Sequence, residues 1–281
     1  MESFAPILRS AVTIMTPLLF AAAGGLYPAL AGTLNIALEG LLLAGAFSSL
    51  AVFYHTGSAA AAITAAVIAA TALSLIHAFT AFKLRANLFI TGLAVNLFSG
   101  GLCIVLSDKL FNTRGVTASK IIFGLVNWYF IVGVVLLFIT WLVIYKTSFG
   151  YRLRACNKDS EALISLGIKP QNYKITAFLI SGFFCGIGGS FLSLNLGVFV
   201  PGMSAGKGWI ALVIIFLGAR KPQGIFIAAF VFGLADAFSN HAQGFWNLPS
   251  DIILAFPYIC TLIAMIIGSA IPFSKNVSTE M

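Results

Sequence analysis

Charge is what this chain has least of. Only 9% of its 281 residues are Asp, Glu, Lys or Arg, against about a quarter in soluble domains. No stretch is long and polar enough to fold as a globular domain, which excludes a membrane enzyme with a soluble catalytic half. A Gly-rich loop ending in Lys-Ser or Lys-Thr is also missing, so the chain is not expected to bind and hydrolyse ATP by itself. The four cysteines, Cys103, Cys156, Cys185 and Cys260, share no metal-ligand spacing. The three histidines, His55, His77 and His241, are scattered. Neither a metal ligand nor a catalytic nucleophile–base pair is therefore expected, and the chain reads as a non-enzyme without a cofactor of its own.

Apolar residues are what it has instead: 60% are hydrophobic and the mean hydropathy is +1.02. Lipid must be the main solvent, and about 30 residues per span and loop predicts about nine spans. The expected class is an all-α integral membrane protein, a polytopic helical bundle of about eight to nine transmembrane segments in one domain over residues 1–281. From Ser10 to Tyr54 the only charge is Glu39. A single helix of that run would be roughly 68 Å long, about twice the hydrocarbon thickness, so it must fold back. Pro28 and Gly32 mark the break, and Asn35 is placed to cap the second helix. Spans are expected near 8–28, 35–54, 59–82, 87–106, 126–145, 175–196, 207–218, 223–239 and 250–270. The seventh is too short to cross alone. The run after Arg9 leads straight into further spans, so no cleavable leader is expected.

The net charge of +8 comes from 16 Lys and Arg against 8 Asp and Glu. In a soluble protein it would suggest nucleic acid; here the charges lie between apolar runs and report topology. With the N-terminus outside, eleven basic residues fall on the cytoplasmic side and five outside, among them Lys207. This favours N-out and C-in, with no nucleic-acid partner. Gly182, Gly186 and Ser190 repeat at four, as do Ser58, Ala62, Ala66 and Ala70, spacing that lets helices approach closely in lipid.

The longest polar loop runs from Lys146 to Lys174. Asn157 or Asp159 can cap a short helix there, with Glu161 in its first turn, Gly167 as its stop and Pro170 against continuation. About eight residues are too few for stability alone, yet Ala162, Leu163 and Leu166 are expected on one face. That face needs a surface: the protein's own underside, or a cytosolic partner whose acidic rim would suit Arg152 and Arg154.

These residues carry a resemblance. Gly150-Tyr151-Arg152-Leu153-Arg154-Ala155-Cys156-Asn157, then Glu161-Ala162 and Leu166-Gly167-Ile168, resemble the coupling loop of ABC importer permeases. The nearest branch serves branched-chain amino acids, ribose and nucleosides, and Leu163 stands where its docking helix has a third alanine. Gly24-Gly25-Leu26 with Gly32-Thr33-Leu34-Asn35-Ile36-Ala37-Leu38-Glu39-Gly40 is similar to the family's broken early segment. Gly202-Met203-Ser204-Ala205-Gly206-Lys207-Gly208 and Gly233-Leu234-Ala235-Asp236-Ala237 look like its later signatures. The chain most resembles the shorter permease of nucleoside-type importers. The resemblance implies a multi-pass protein of a prokaryotic inner or plasma membrane. Its partners would be ABC ATPase subunits that bind the ATP, a second, related permease subunit, and an extracytoplasmic substrate-binding lipoprotein. The implied coupling residues are Arg152, Arg154, Asn157, Glu161, Ala162, Leu163, Leu166, Gly167 and Ile168.

Polar groups within spans need a reason. Glu39, one turn into the second span, is either favoured by the helix dipole or lines a translocation path with Asn35. Asp236 either pairs with Lys207 or another subunit, or serves the outer mouth. Asn87 and Asn96 either hydrogen-bond a sugar or base, or bond between helices. Nucleosides are the expected cargo, with simple sugars or branched-chain amino acids as alternatives. An ion-coupled secondary transporter would need carboxylates near mid-bilayer, and Glu39 and Asp236 read as lying near span ends.

Overall fold

A computed structural model describes residues 4–118 and 126–242. The helices are α1 (Phe4–Leu30), α2 (Leu38–Thr56), α3 (Ala59–Phe82), α4 (Leu88–Phe111), α5 (Val126–Lys146), α6 (Ser148–Lys158), α7 (Ser160–Ser165), α8 (Pro170–Leu196), α9 (Lys207–Leu217) and α10 (Pro222–Ala242). Two short strands, β1 (Thr117–Ala118) and β2 (Val198–Phe199), pair antiparallel. Seven helices among the described residues are long and apolar enough to cross a membrane. The expected ninth span, 250–270, lies outside the described residues.

The helix ends follow local chemistry. Ser58 caps α3 by accepting from Ala61 N, and so stands outside the small-residue stripe it was expected to begin. α4 runs five residues past its expected end and stops where Asn112 adopts a left-handed conformation. α8 starts at Pro170 rather than 175, because proline's missing N–H costs nothing in a first turn. The 146–174 loop holds two helices rather than one. Thr147 caps α6 through Gly150 N, and Asp159 caps the six-residue α7 through Ala162 N at 2.8 Å.

α8 is the core of the bundle, packed against α1, α2 and α3. Ala62, Ala66 and Ala70 are fully buried on the facing stripe of α3. A Cβ on Gly182 would sit 2.7 Å from Thr71 Cα, and one on Gly186 2.6 Å from Val67 Cα. The two backbones therefore touch, as small residues at a spacing of four allow. α2 runs parallel to α8: Asn35 meets Ser181, Gly45 meets Gly186 and Ser49 meets Ser193.

These contacts sort the loops into two ends. The 31–37 segment, the end of α3 and the α6–α7 loop gather at one: Gly32 abuts Asn157, and the rings of Phe82 and Phe178 lie 5.3 Å apart. Ile215 of α9 packs on Gly25 near the end of α1, and Gly218 packs on Gly224, which brings Pro222 to the same end. Lys83, Arg85, the six bases between Lys146 and Lys174, Arg220 and Lys221 all collect there. The β1–β2 pair marks the opposite end, with Arg9, Lys109 and Arg114. Lys207 belongs to neither, for it opens α9 inside the bundle.

Candidate functional site

The break between α1 and α2 enters the protein instead of lying at its edge. α1 ends two residues beyond Pro28, and Gly32 takes φ +78°. The chain then climbs unwound to Asn35, which is fully buried and whose Nδ2 donates to Ser181 Oγ at 2.8 Å. Ser181 is eleven residues into α8, roughly 17 Å along a helix of about 40 Å. α2 thus starts near the middle of the bundle, and Glu39, in its first turn, lies at the end of its span as expected but deep among the neighbouring helices.

Irregular backbone at such depth survives only where protein satisfies its polar groups. Asn96 of α4 does most of this. Its Nδ2 donates to Ile36 O at 2.9 Å and its Oδ1 accepts from Gly40 N at 2.8 Å. Ser99 Oγ donates to Gly40 O at 2.6 Å. Asn35 Oδ1 accepts from Ala37 N at 3.1 Å, closing a turn before the helix, so Asn35 does not cap α2 as the sequence suggested. His77 completes the junction, with Nδ1 3.2 Å from Asn35 Oδ1 and Nε2 3.2 Å from Leu88 O.

Glu39 joins this break to a second one. Its carboxylate accepts from Gly206 N at 2.8 Å and Gly208 N at 2.7 Å, the first amides of α9. α9 has 11 residues, about 16 Å, and cannot cross a bilayer alone. Residues 200–206 descend irregularly from β2 to reach it. A Cβ on Gly208 would fall 2.5 Å from Glu39 Cα, so only glycine lets the two helix starts meet. One carboxylate therefore occupies the positive N-terminal ends of both α2 and α9.

The other expected path residues disperse. Asn87 caps α4, accepting from Phe89 N at 2.9 Å and Ile90 N at 3.2 Å, and is exposed. Asn96 is committed to backbone. Asp236 is half-buried on α10; it forms no ion pair with Lys207, although each feels the other's charge. Lys207 Nζ donates to Ser204 O at 3.5 Å. Sequence reasoning missed His77, Ser99, Ser181 and the two glycine amides. The polar stripe of α4 at helical spacing, Asn96, Ser99, Cys103 and Ser107, was the one available signal for that packing.

In the 146–174 loop the expected residues take different roles. Arg152 Nη1 donates to Tyr173 OH at 3.1 Å. Arg154 has its guanidinium 5.0 Å from the rings of both Tyr145 and Tyr151, so it ties α6 to α5 more than it forms a rim. Asn157 sits under Gly32. Glu161 and Ala162 are exposed in the first turn of α7. Leu163 is 5% exposed and Leu166 75%, so the single apolar face expected of Ala162, Leu163 and Leu166 does not form. α7 is only six residues long, and Leu166 lies past its last residue, pointing outward beside Ile164 at 61%. Gly167 takes φ +73° and Ile168 N donates to Leu163 O at 2.9 Å, closing the helix. Burial pushes the Cys156 thiol up, and Lys174 nearby offsets part of that.

Known proteins match this chain along most of its length. The chain is 31% identical to a guanosine ABC transporter permease protein of Bacillus subtilis, NupQ, over 92% of this chain and 90% of that one. It is 28% identical to a nucleoside ABC transporter permease protein of Lactococcus lactis, NupC, over 94% and 93%. A putative glucose ABC transporter permease of Haloferax volcanii is 26% identical over 99% and 91%. Residues 7–267 match the family described as branched-chain amino acid transport system / permease component. A multi-pass bundle of apolar helices with two helix starts meeting inside it, matched along nearly its whole length, belongs to that permease family.

Proposed function

We propose that this chain is the membrane-spanning subunit of a binding-protein-dependent ABC importer for nucleosides. The observation that carries the reading is the near full-length likeness to permeases named for guanosine and nucleosides. The likeness to a putative glucose permease supports a sugar importer as the second reading.

The basic end is the cytoplasmic one, by the excess of Lys and Arg there. With residues 198–217 crossing as one irregular element the described residues cross eight times, and the span expected at 250–270 would make nine, N-out and C-in. α7 is the coupling helix. Ile164 and Leu166 are its exposed apolar contacts for an ATPase subunit, and Leu163 anchors it to the bundle. ATP is bound by that partner; this chain carries no cofactor. A second, related permease completes the translocation path, and an extracytoplasmic lipoprotein delivers cargo at the β1–β2 end. Closure of the ATPases would move α6 and α7, and Asn157 would pass that movement to Gly32 and the α1–α2 break. From there Glu39 connects it to α9, so both broken elements shift together and access alternates.

The test is to solubilise the complex gently from its membrane and measure uptake after reconstitution. ATP-dependent uptake of labelled guanosine, with an ABC ATPase and a second permease in the purified complex, is the expected result. Uptake by the chain alone and without ATP would refute the reading.

A further inference from the structure

The importer needs a place for cargo at the delivery end, and the 31–40 junction offers none, because its polar groups are already spent on backbone. A cavity of about 220 Å³ lies between α1, α8 and the segment from Val198 to Lys207. Pro17, Phe191 and Met203 make apolar walls, and Thr13, Asn195 and Lys207 are its polar lining. The Thr13 hydroxyl is donated to Arg9 O at 2.9 Å. Asn195 is half-buried, and its amide makes no hydrogen bond among the described residues. Lys207 spends one donor on Ser204 O and keeps two. Neither group is sealed from solvent, so an amide and an ammonium with unspent capacity face the space between the apolar walls, open to whatever enters.

Charge narrows the ligand further. Glu39 bonds the amides on either side of Lys207, so a carboxylate is already held beside this ammonium. Glu39 also fills the α9 amides that would otherwise attract an anion. A phosphate is disfavoured here and an uncharged ring is not. The volume is below the ~300–1,000 Å³ that encloses whole drug-sized ligands, so one ring system fits and the remainder projects out.

We infer that this cavity takes the uncharged heterocycle of a nucleoside, with Lys207 donating to a carbonyl or ring-nitrogen acceptor and Asn195 reading the neighbouring edge. Pro17, Phe191 and Met203 enclose the ring. The inference rests on the nucleoside-importer reading and assigns its cargo site.

The experiment uses cells without nucleoside uptake of their own that express the complete transporter, fed labelled guanosine, adenosine or glucose. Asn195→Leu is expected to lower the rate of uptake at saturating guanosine about tenfold, the scale of one lost hydrogen bond, with complex assembly retained. Asn195→Asp should change the guanosine-to-adenosine ratio, which a merely structural residue would leave fixed. Guanosine monophosphate should not compete. Wild-type saturated rate and base preference in Asn195→Leu, Asn195→Asp and Lys207→Met would place the cargo elsewhere and leave the importer reading intact. ATP-driven glucose uptake with no nucleoside uptake would overturn both the nucleoside reading and this site's ligand.

Discussion

Replacing Glu39 with Gln should weaken the junction of α2 and α9 far more than an isosteric change at a surface would. The carboxylate holds Gly206 N and Gly208 N at 2.8 and 2.7 Å. A glutamine offers one oxygen, and its NH2 group faces an amide donor where the second oxygen was. One charge-assisted hydrogen bond of about 1.5–3 kcal/mol is lost. The attraction of a negative charge for two helix N-termini, about 0.3–2 kcal/mol, goes with it. The combined loss is roughly 2–5 kcal/mol, a large part of a typical folding free energy. The assay is thermal retention of the purified protein as a single peak on size exclusion after graded heating in detergent. Glu161→Gln is the control, because Glu161 is exposed on a short solvent helix and should cost little. Expected is a midpoint several degrees lower for Glu39→Gln and an unmoved one for the control. Equal midpoints in both variants would refute the claim that Glu39 bonds α9.

Gly208→Ala should perturb the same junction by sterics, since its Cβ would land 2.5 Å from Glu39 Cα, and overpacking of this kind costs about 1–3 kcal/mol. The same heating assay reads it, and combining it with Glu39→Gln should be less than additive because both changes separate the same helices. Asn96→Leu strips partners from Ile36 O and Gly40 N and should cost about 2–6 kcal/mol by the same measure, at about 1–3 per orphaned group. Leu166→Asp should release the ATPase and abolish uptake while membrane levels stay normal. Leu163→Asp, at a buried position, should instead make the loop protease-sensitive, which limited proteolysis checks. Cys156 should label slowly with iodoacetamide near neutral pH. Its thiol titrates above the usual range, so thiolate is scarce below that raised value and labelling, followed by peptide mass mapping, keeps accelerating as pH rises through it.

Features that depend on neighbours in sequence were legible. The apolar runs located the spans, Asp159, one of two cap candidates, and Gly167 bounded α7, and the repeats at four marked α3 and α8 as close-packing helices without pairing them. Pro28 and Gly32 announced the α1–α2 break. α6 was not foreseen, because a helix capped by Thr147 amid arginines and tyrosines has no long apolar run to flag it. Spacing alone puts Leu166 on a face with Ala162 and Leu163, and spacing fails once the helix ends at Ser165.

The site itself was legible only as a set of suspicious residues, and the reason is sequence distance. Glu39 could be singled out as an acid in lipid, but its partners are backbone amides 167 and 169 residues away, and amides carry no signature in a sequence. Asn35 and Asn96 looked equally able to hold a ligand or a helix. The choice between those roles depends on whether neighbouring backbone is left unpaired. That is set by where α1 ends and how deeply residues 31–37 enter the bundle. The same reasoning separates the spent polar groups of the junction from Asn195 and Lys207, whose hydrogen-bonding capacity is left over. In a membrane interior, surplus capacity lining a cavity points to cargo more directly than polarity does, because the polar groups of the junction have already found their partners.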